Sequence, residues 1–450
     1  MSKEKIHILG ICGTFMGSLA LLAREKNYQV SGCDENVYPP MSELLINQGV
    51  DLIEGYDVKD LPKADTYIIG NALSRGNPLV EYLLDGNKTI VSGPEWISKN
   101  ILAERKVLAI SGTHGKTTVT SISAWILDYL EIDAGFLIAG KPKNFELPAR
   151  IGSHEIFVIE ADEYDTAFFD KRAKFIHYKP EVLVVNNIEF DHSDIYQDIE
   201  SIQTQFHHLI RTIPSKGKII FPDNDPNIEE SLSKGCWSKK IPYGNKLTSD
   251  WGMKIITDDF SAFEVIHKGI SNKVSWDLIG EHNSQNAMAS IIACYELGVR
   301  VEDSCEALSH FRGVSRRLDL IYEDNNLTIF DDFAHHPTAI KKTITGLKFK
   351  FPHSRILALI ELRSNTMKSG LHDLALKESI SDADKIFWKS EDKEQEMKLI
   401  KIDSTKSHRI RDDDQFVDEF IKELKQGDVV VLMSNGNFLS LGKRILNKLN

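Results

Sequence analysis

The run Ala109-Ile110-Ser111-Gly112-Thr113-His114-Gly115-Lys116-Thr117-Thr118 joins a β-branched strand to an amphipathic helix expected over 117–130. Gly112 and Gly115 let the backbone turn its N–H groups toward phosphate oxygens. Lys116 adds a point charge, and the Thr117 hydroxyl can reach a magnesium ion. Thr113, His114 and Thr118 complete the loop. The usual G-x-x-x-x-G-K-[ST] pattern has glycine where this chain has Ile110, so the loop is a variant. Acidic runs follow later strands: Glu160-Ala161-Asp162-Glu163-Tyr164-Asp165 after 156–159, and Asn186-Asn187-Ile188-Glu189-Phe190-Asp191-His192 after 182–185. Ligands of open α/β sheets collect at the carboxyl ends of strands, so both runs can converge on a triphosphate and its magnesium. Their bland alternative is helix capping by solvated acids. His192 is an unusual magnesium ligand, because imidazole prefers softer metals.

A second nucleotide-like loop lies near the start. Gly10, Gly13, Thr14, Met16 and Gly17 fall between a strand at 6–11 and a helix at 16–26, with Asp34 ending the next strand. The spacing G-x-x-G-x-x-x-G is not the dinucleotide G-x-G-x-x-G, so it points to a diphosphate on a helix N-terminus rather than to NAD. The loop 70–78 follows a strand and offers Ser74 and Arg75 to an anion. Its plain alternative is a turn in which Asn77 caps a helix opening at Pro78.

These residues need strands and helices to place them. Short β-branched runs alternate with helical stretches along most of the chain, the pattern of parallel α/β sheets. The fold class is α/β with three domains, divided at 1–105, 106–313 and 314–450. Residues 241–280 alternate and are turn-rich, which predicts antiparallel strands added to a sheet edge. The chain has 450 residues and a formal charge of −12, against a broad grip on nucleic acid or anionic membrane. It shows no membrane-length apolar run and no signal peptide. Its 5 cysteines include no C-x-x-C pair, so a reducing cytoplasm is the default.

Taken together, the motifs resemble the Mur ligase family, the ATP-dependent amide-bond formers of peptidoglycan assembly. The resemblance rests on Gly112–Thr117, Glu160 with its acidic run, and Asn187-Ile188-Glu189-Phe190-Asp191-His192. It continues through Gly280-Glu281-His282-Asn283-Ser284-Gln285-Asn286, Ser315-Arg316-Arg317-Leu318-Asp319 and Asp331-Asp332-Phe333-Ala334-His335-His336-Pro337. Three further stretches, 37–42, 70–78 and Glu361-Leu362-Arg363-Ser364-Asn365-Thr366-Met367-Lys368, resemble the branch that joins UDP-N-acetylmuramate to a whole murein tripeptide in peptidoglycan recycling. Residues 191–215 contain no lysine, whereas several other branches use a carbamylated lysine there. The segment 434–439 has lost glycines expected of this branch.

The resemblance implies a Rossmann-like UDP-sugar domain, a central P-loop ATPase-like domain and a C-terminal Rossmann-like domain that receives the peptide. It implies ATP and Mg2+, with Thr117, Glu160 and His192 holding the metal and Lys116 on the phosphates. Asn283 and Asn286 would sit at the adenine, and Arg317 and Asp332 at phosphate and ribose. His336 and Asn365 would face substrate, and Arg363 presents a fork suited to a peptide carboxylate. Small-molecule substrates are implied, with no nucleic acid, membrane or obligate protein partner. A site made from three domains is expected to close around its substrates, from an open form without them. Two alternatives stay open: free L-alanine as acceptor, and a non-catalytic sensor of nucleotide or UDP-sugar.

Overall fold

A computed structural model describes residues 3–244, 250–362, 373–390, 392–411, 414–436 and 438–449. Each third of the chain carries its own sheet. The first has five parallel strands in the order Asp51–Glu54, Gln29–Asp34, Lys5–Leu9, Thr66–Ile69, Ile90–Ser92. Lys5–Leu9 is central and buried after Lys5, so it is apolar at Ile6, Ile8 and Leu9, with His7 buried between them.

The second sheet has seven strands: Lys239–Tyr243, Lys218–Pro222, Val182–Val185, Lys106–Ser111, Ile156–Glu160, Gly135–Leu137 and Ala149–Arg150. All neighbours are parallel except the last pair. Register pairs Ser111 with Val185 on one side and Ile110 with Glu160 on the other. The loop after Ser111 therefore opens between the two acidic runs, at the point where strand order reverses. The helix after that loop, Lys116–Tyr129, is buried along most of its length. It packs against Glu281–Glu296, where Ser290 donates to the Val119 carbonyl at 3.2 Å.

The expectation for 241–280 needs correcting. Lys239–Tyr243 is a parallel edge strand, and the antiparallel strands Trp251–Ile255, Ala262–His267 and Ile270–Ser275 form a separate three-stranded sheet. Alternation reports a half-buried strand but not which sheet it joins. The third sheet has six strands: Asp319–Glu323, Leu327–Asp332, Asp428–Met433, Ile356–Leu362, Lys385–Ser390 and Ser407–Arg409. Only Asp319–Glu323 runs antiparallel.

The first and second parts share a continuous apolar core, in which Leu19, Trp96 and Ile97 belong with Phe157, Phe175 and Phe206. The third sheet has apolar cores on both faces. It meets the middle of the chain through Ile279, which belongs to one of these cores, and through polar side chains described next. Among the described residues, no helix is long and apolar enough to cross a membrane.

Candidate active site

Both phosphate-loop glycines are required by geometry. Gly112 has φ +130°, and a Cβ there would come within 3.0 Å of the Asn187 backbone. Gly115 has φ +85°, and its Cβ would meet Asn186 Nδ2 at 2.3 Å and Asn286 Oδ1 at 2.7 Å. Asparagines hold the loop from outside. Asn187 Oδ1 accepts from His114 N–H at 2.8 Å, and Asn186 Nδ2 donates to the His114 carbonyl and to Asn286 Oδ1, both at 3.0 Å.

Lys116 is 12% exposed and donates to the Gly112 carbonyl at 2.7 Å and to Glu163 Oε2 at 2.8 Å, with Asp162 at 3.8 Å. Burial opposes its charge, but Glu163 and Asp162 outweigh burial and raise its pKa. Glu163, only 2% exposed, also lies 3.0 Å from His192 Nε2. There too burial opposes the charge, and the Glu163 hydrogen bond overcomes it and raises the imidazole pKa. Glu163 thus joins Lys116 of the phosphate loop to His192 of the second acidic run. His192 itself has φ +58°, a left-handed conformation in a non-glycine residue, as functional sites often hold.

Thr117 Oγ1 donates to Glu160 Oε1 at 3.0 Å, and the other Glu160 oxygen accepts Ala139 N–H at 2.9 Å. Burial lifts the Glu160 pKa, and the Ala139 N–H and Lys116 pull the other way. Asp162 pairs with Lys174 at 3.1 Å. Burial raises the Asp162 pKa, but Lys174 and Lys116 dominate and hold it at about 2. Oxygen donors on Thr117, Glu160 and the neighbouring carboxylates suit a hard cation such as magnesium.

The third part enters on a doubly bent connector. Arg316 and Leu318 both have positive φ, +61° and +50°, and between them Arg317 reaches back to place Nη2 3.4 Å from Thr117 Oγ1. Its guanidinium stacks 4.9 Å from the Phe333 ring centroid. Asp332, buried, accepts N–H groups from Leu318 at 2.6 Å and Ala334 at 2.7 Å. Beside it, His114 Nε2 lies 3.3 Å from His336 Nδ1, and Thr338 Oγ1 donates to Glu189 Oε2 at 2.6 Å. Burial works against the Glu189 charge, yet hydrogen bonds from His114 and Thr338 bring its pKa down to about 2.

Many of these groups line one cleft of about 1420 Å³, to which the first part contributes residues that include Thr14 and Met41. Lys116, Thr117, Thr118, Glu160, His192, Asn283, Asn286, Arg317 and Asp332 all face it. Asn283 is held by donating to the Ile279 carbonyl at 2.8 Å.

The remaining expected residues are placed differently. Gly10, with φ +79°, donates its N–H to the Cys33 carbonyl, and Asp34 accepts Cys12 N–H at 2.9 Å. Gly13 is the N-cap of the helix Thr14–Glu25, and Gly17 has no room for a Cβ beside Met41. The Met16 side chain belongs to the core. Exposed Arg75 forms a bidentate pair with Glu81 at 2.9 Å, and Asn77 caps the helix Pro78–Asp85, as the plain turn alternative has it. Arg363 and Asn365 lie outside the described residues. In the 434–439 segment, Ser434 donates to Glu361 at 2.6 Å, and its carbonyl accepts from Arg316 at 2.7 Å. Sequence spacing missed Glu163, Lys174 and Glu189 as site residues. Their signal was position within acidic runs, or for Lys174 nothing beyond being a lysine.

Residues 5–105 match the profile of the Mur ligase family catalytic domain, 110–294 that of the Mur ligase middle domain, and 316–436 that of the Mur ligase glutamate ligase domain. The chain belongs to the Mur ligase family. It is 46% identical to the UDP-N-acetylmuramate–L-alanyl-γ-D-glutamyl-meso-2,6-diaminoheptandioate ligase of Escherichia coli K12, covering 99% of this chain and 98% of that one. A UDP-N-acetylmuramate–L-alanine ligase from Clostridium tetani is 30% identical over 98% of each chain. Among solved structures, a murein peptide ligase from Psychrobacter arcticus 273-4 superposes with TM-score 0.78 at 42% identity, covering 99% of this Mur ligase and 98% of that chain.

Proposed function

We propose that this Mur ligase joins the lactyl carboxylate of UDP-N-acetylmuramate to the L-alanine amine of L-alanyl-γ-D-glutamyl-meso-diaminopimelate, at the expense of ATP. The observation that carries the choice of acceptor is the 46% identity over 99% of the chain to a ligase named for that reaction, against 30% to the L-alanine ligase. A lactyl oxygen bonds to the γ-phosphorus of ATP as the bond to the β–γ bridging oxygen breaks, giving ADP and an acyl phosphate. The peptide amine then bonds to the acyl carbon, loses a proton and expels phosphate. The products are UDP-N-acetylmuramoyl-tripeptide, ADP and phosphate, as peptidoglycan recycling in the cytoplasm requires.

Phosphoryl transfer asks the protein for positioning and charge neutralisation rather than covalent work. Lys116, stored on Glu163, swings to the β and γ oxygens, and Arg317 approaches from the third part. Magnesium, when bound, neutralises the polyphosphate; Thr117, Glu160 and His192 would hold it, with Glu163 adjoining. Asn283 and Asn286 face the adenine, and Asp332 the ribose. Residues 1–105, with the Gly10–Gly17 loop, Asp34, Ser74 and Arg75, take the UDP-sugar. Residues 106–313 take ATP, and 314–450, with His336, Arg363 and Asn365, receive the peptide.

The test is phosphate release with ATP, magnesium and UDP-N-acetylmuramate, offering tripeptide or L-alanine and identifying products by mass spectrometry. Turnover with the tripeptide alone is expected. Turnover with L-alanine alone would overturn the acceptor, and silence with both would point to a sensor. Arg363→Ala should raise KM for the tripeptide; an unchanged KM would remove that residue from the site.

A further inference from the structure

We infer that His114, Glu189 and His336 form a second metal site, selective for a zinc-class transition ion, that ties the phosphate loop to the C-terminal part. The inference does not depend on the choice of acceptor, and it uses none of the residues assigned to magnesium. His114 Nε2 and His336 Nδ1 are 3.3 Å apart, and Glu189 Oε2 lies 3.7 Å from the first and 3.6 Å from the second. Donors at about 2.0–2.2 Å from a tetrahedral zinc stand about 3.3–3.6 Å from one another. The three atoms therefore stand close to the spacing of one face of a zinc tetrahedron, and two of their residues, His114 and Glu189, line the cleft.

The residues are also held in place by their neighbours, and metal binding would release the proton that His114 shares with Glu189. His336 caps the helix Pro337–Lys350, its Nδ1 accepting Thr338 N–H at 3.4 Å. That bond selects the tautomer whose Nδ1 carries no proton, and an ion here would take that lone pair from the Thr338 N–H. Thr338 Oγ1 fixes the carboxylate by donating to Glu189 Oε2 at 2.6 Å, the supporting contact that metal-binding carboxylates receive. Thr113 does the same for the backbone, its Oγ1 accepting Glu189 N–H at 2.9 Å. Two imidazoles and one carboxylate suit zinc, cobalt or nickel and disfavour magnesium, which demands an octahedron of oxygens. Since His114 sits in the phosphate loop and His336 beyond the bent connector, an ion here fastens the two parts together.

The full-length protein, stripped with chelator and free of nucleotide, would be titrated with cobalt and its visible spectrum recorded. One equivalent should give the intense d–d bands of tetrahedral cobalt, displaced by zinc and untouched by excess magnesium. His336→Asn keeps a good helix cap but removes the ring nitrogen, and Glu189→Gln keeps an acceptor for Thr338. Each should weaken binding by more than about 100-fold, and Thr338→Val by about tenfold. Weak octahedral bands, or tetrahedral bands unchanged in both His336→Asn and Glu189→Gln, would overturn the site and leave a hydrogen-bonded contact without metal.

Discussion

Glu163→Gln tests the charge arrangement around the phosphate loop most directly. The substitution keeps the side chain's size and removes only its charge. At 2.8 Å from Lys116 Nζ and an effective dielectric of about 20, the lost attraction is about 6 kcal/mol. Much of that offsets the desolvation of a carboxylate that is 2% exposed, a penalty the glutamine escapes. Asp162, at 3.8 Å, still faces Lys116, so the ammonium is not orphaned. Breaking a buried pair costs about 3–5 kcal/mol, and the remaining partner places this case near 3 kcal/mol. The assay is urea denaturation of the nucleotide-free protein, following the transition of the central part, with Lys116→Met and the double variant to close the cycle. The double variant should be more stable than the sum of the singles by more than about 1 kcal/mol. His192 adds a pH signature. Its folded pKa is raised, so its contribution is complete below the unfolded value of 6.5 and fades as pH rises through the folded value. Glu163→Gln should abolish that slope. A loss under about 1 kcal/mol with additive singles, or an unaltered slope, would show that Glu163 is not the charge joining Lys116 to His192.

Gly115→Ala places a methyl group 2.3 Å from Asn186 Nδ2 at φ +85°. It should cost about 2 kcal/mol or more and abolish ATP binding, measured by calorimetry with a non-hydrolysable analogue. Glu189 has a folded pKa of about 2 against 4.5, so it stabilises the fold above pH 4.5, a contribution lost as pH falls toward 2. Acid titration of Glu189→Gln should show a shallower fall over that window. Arg75→Ala removes a solvent-exposed pair and should leave the urea midpoint unchanged, while raising KM for the UDP-sugar if Arg75 leaves Glu81 for the diphosphate.

What the sequence determined by itself is local and periodic. The strand, glycine turn and helix from 106 to 129 follow from a β-branched run, Gly112 and Gly115, and buried small residues. The Asn77 cap and the central apolar strands are legible in the same way, because hydrogen bonding and burial of neighbours set them. The acidic runs could be placed at strand ends because parallel sheets gather loops there. Which acid would matter was not legible in the run itself, since Glu160, Asp162 and Glu163 are all carboxylates within four positions, and only the family resemblance singled out Glu160. Only the packed structure separates Glu160, turned to Thr117, from Glu163, turned to Lys116 and His192.

The same holds for contacts across long separations. His114 and His336 are 222 positions apart and Arg317 and Thr117 are 200 apart, and no periodicity links them. Their meeting depends on how the third sheet docks on the second through the bent Arg316–Leu318 connector. The placement of 251–275 in a sheet of its own was likewise decided by tertiary pairing. Side-chain chemistry is written residue by residue. The low-dielectric neighbourhood that shifts a lysine, a histidine or a carboxylate exists only once the distant strands have closed around it.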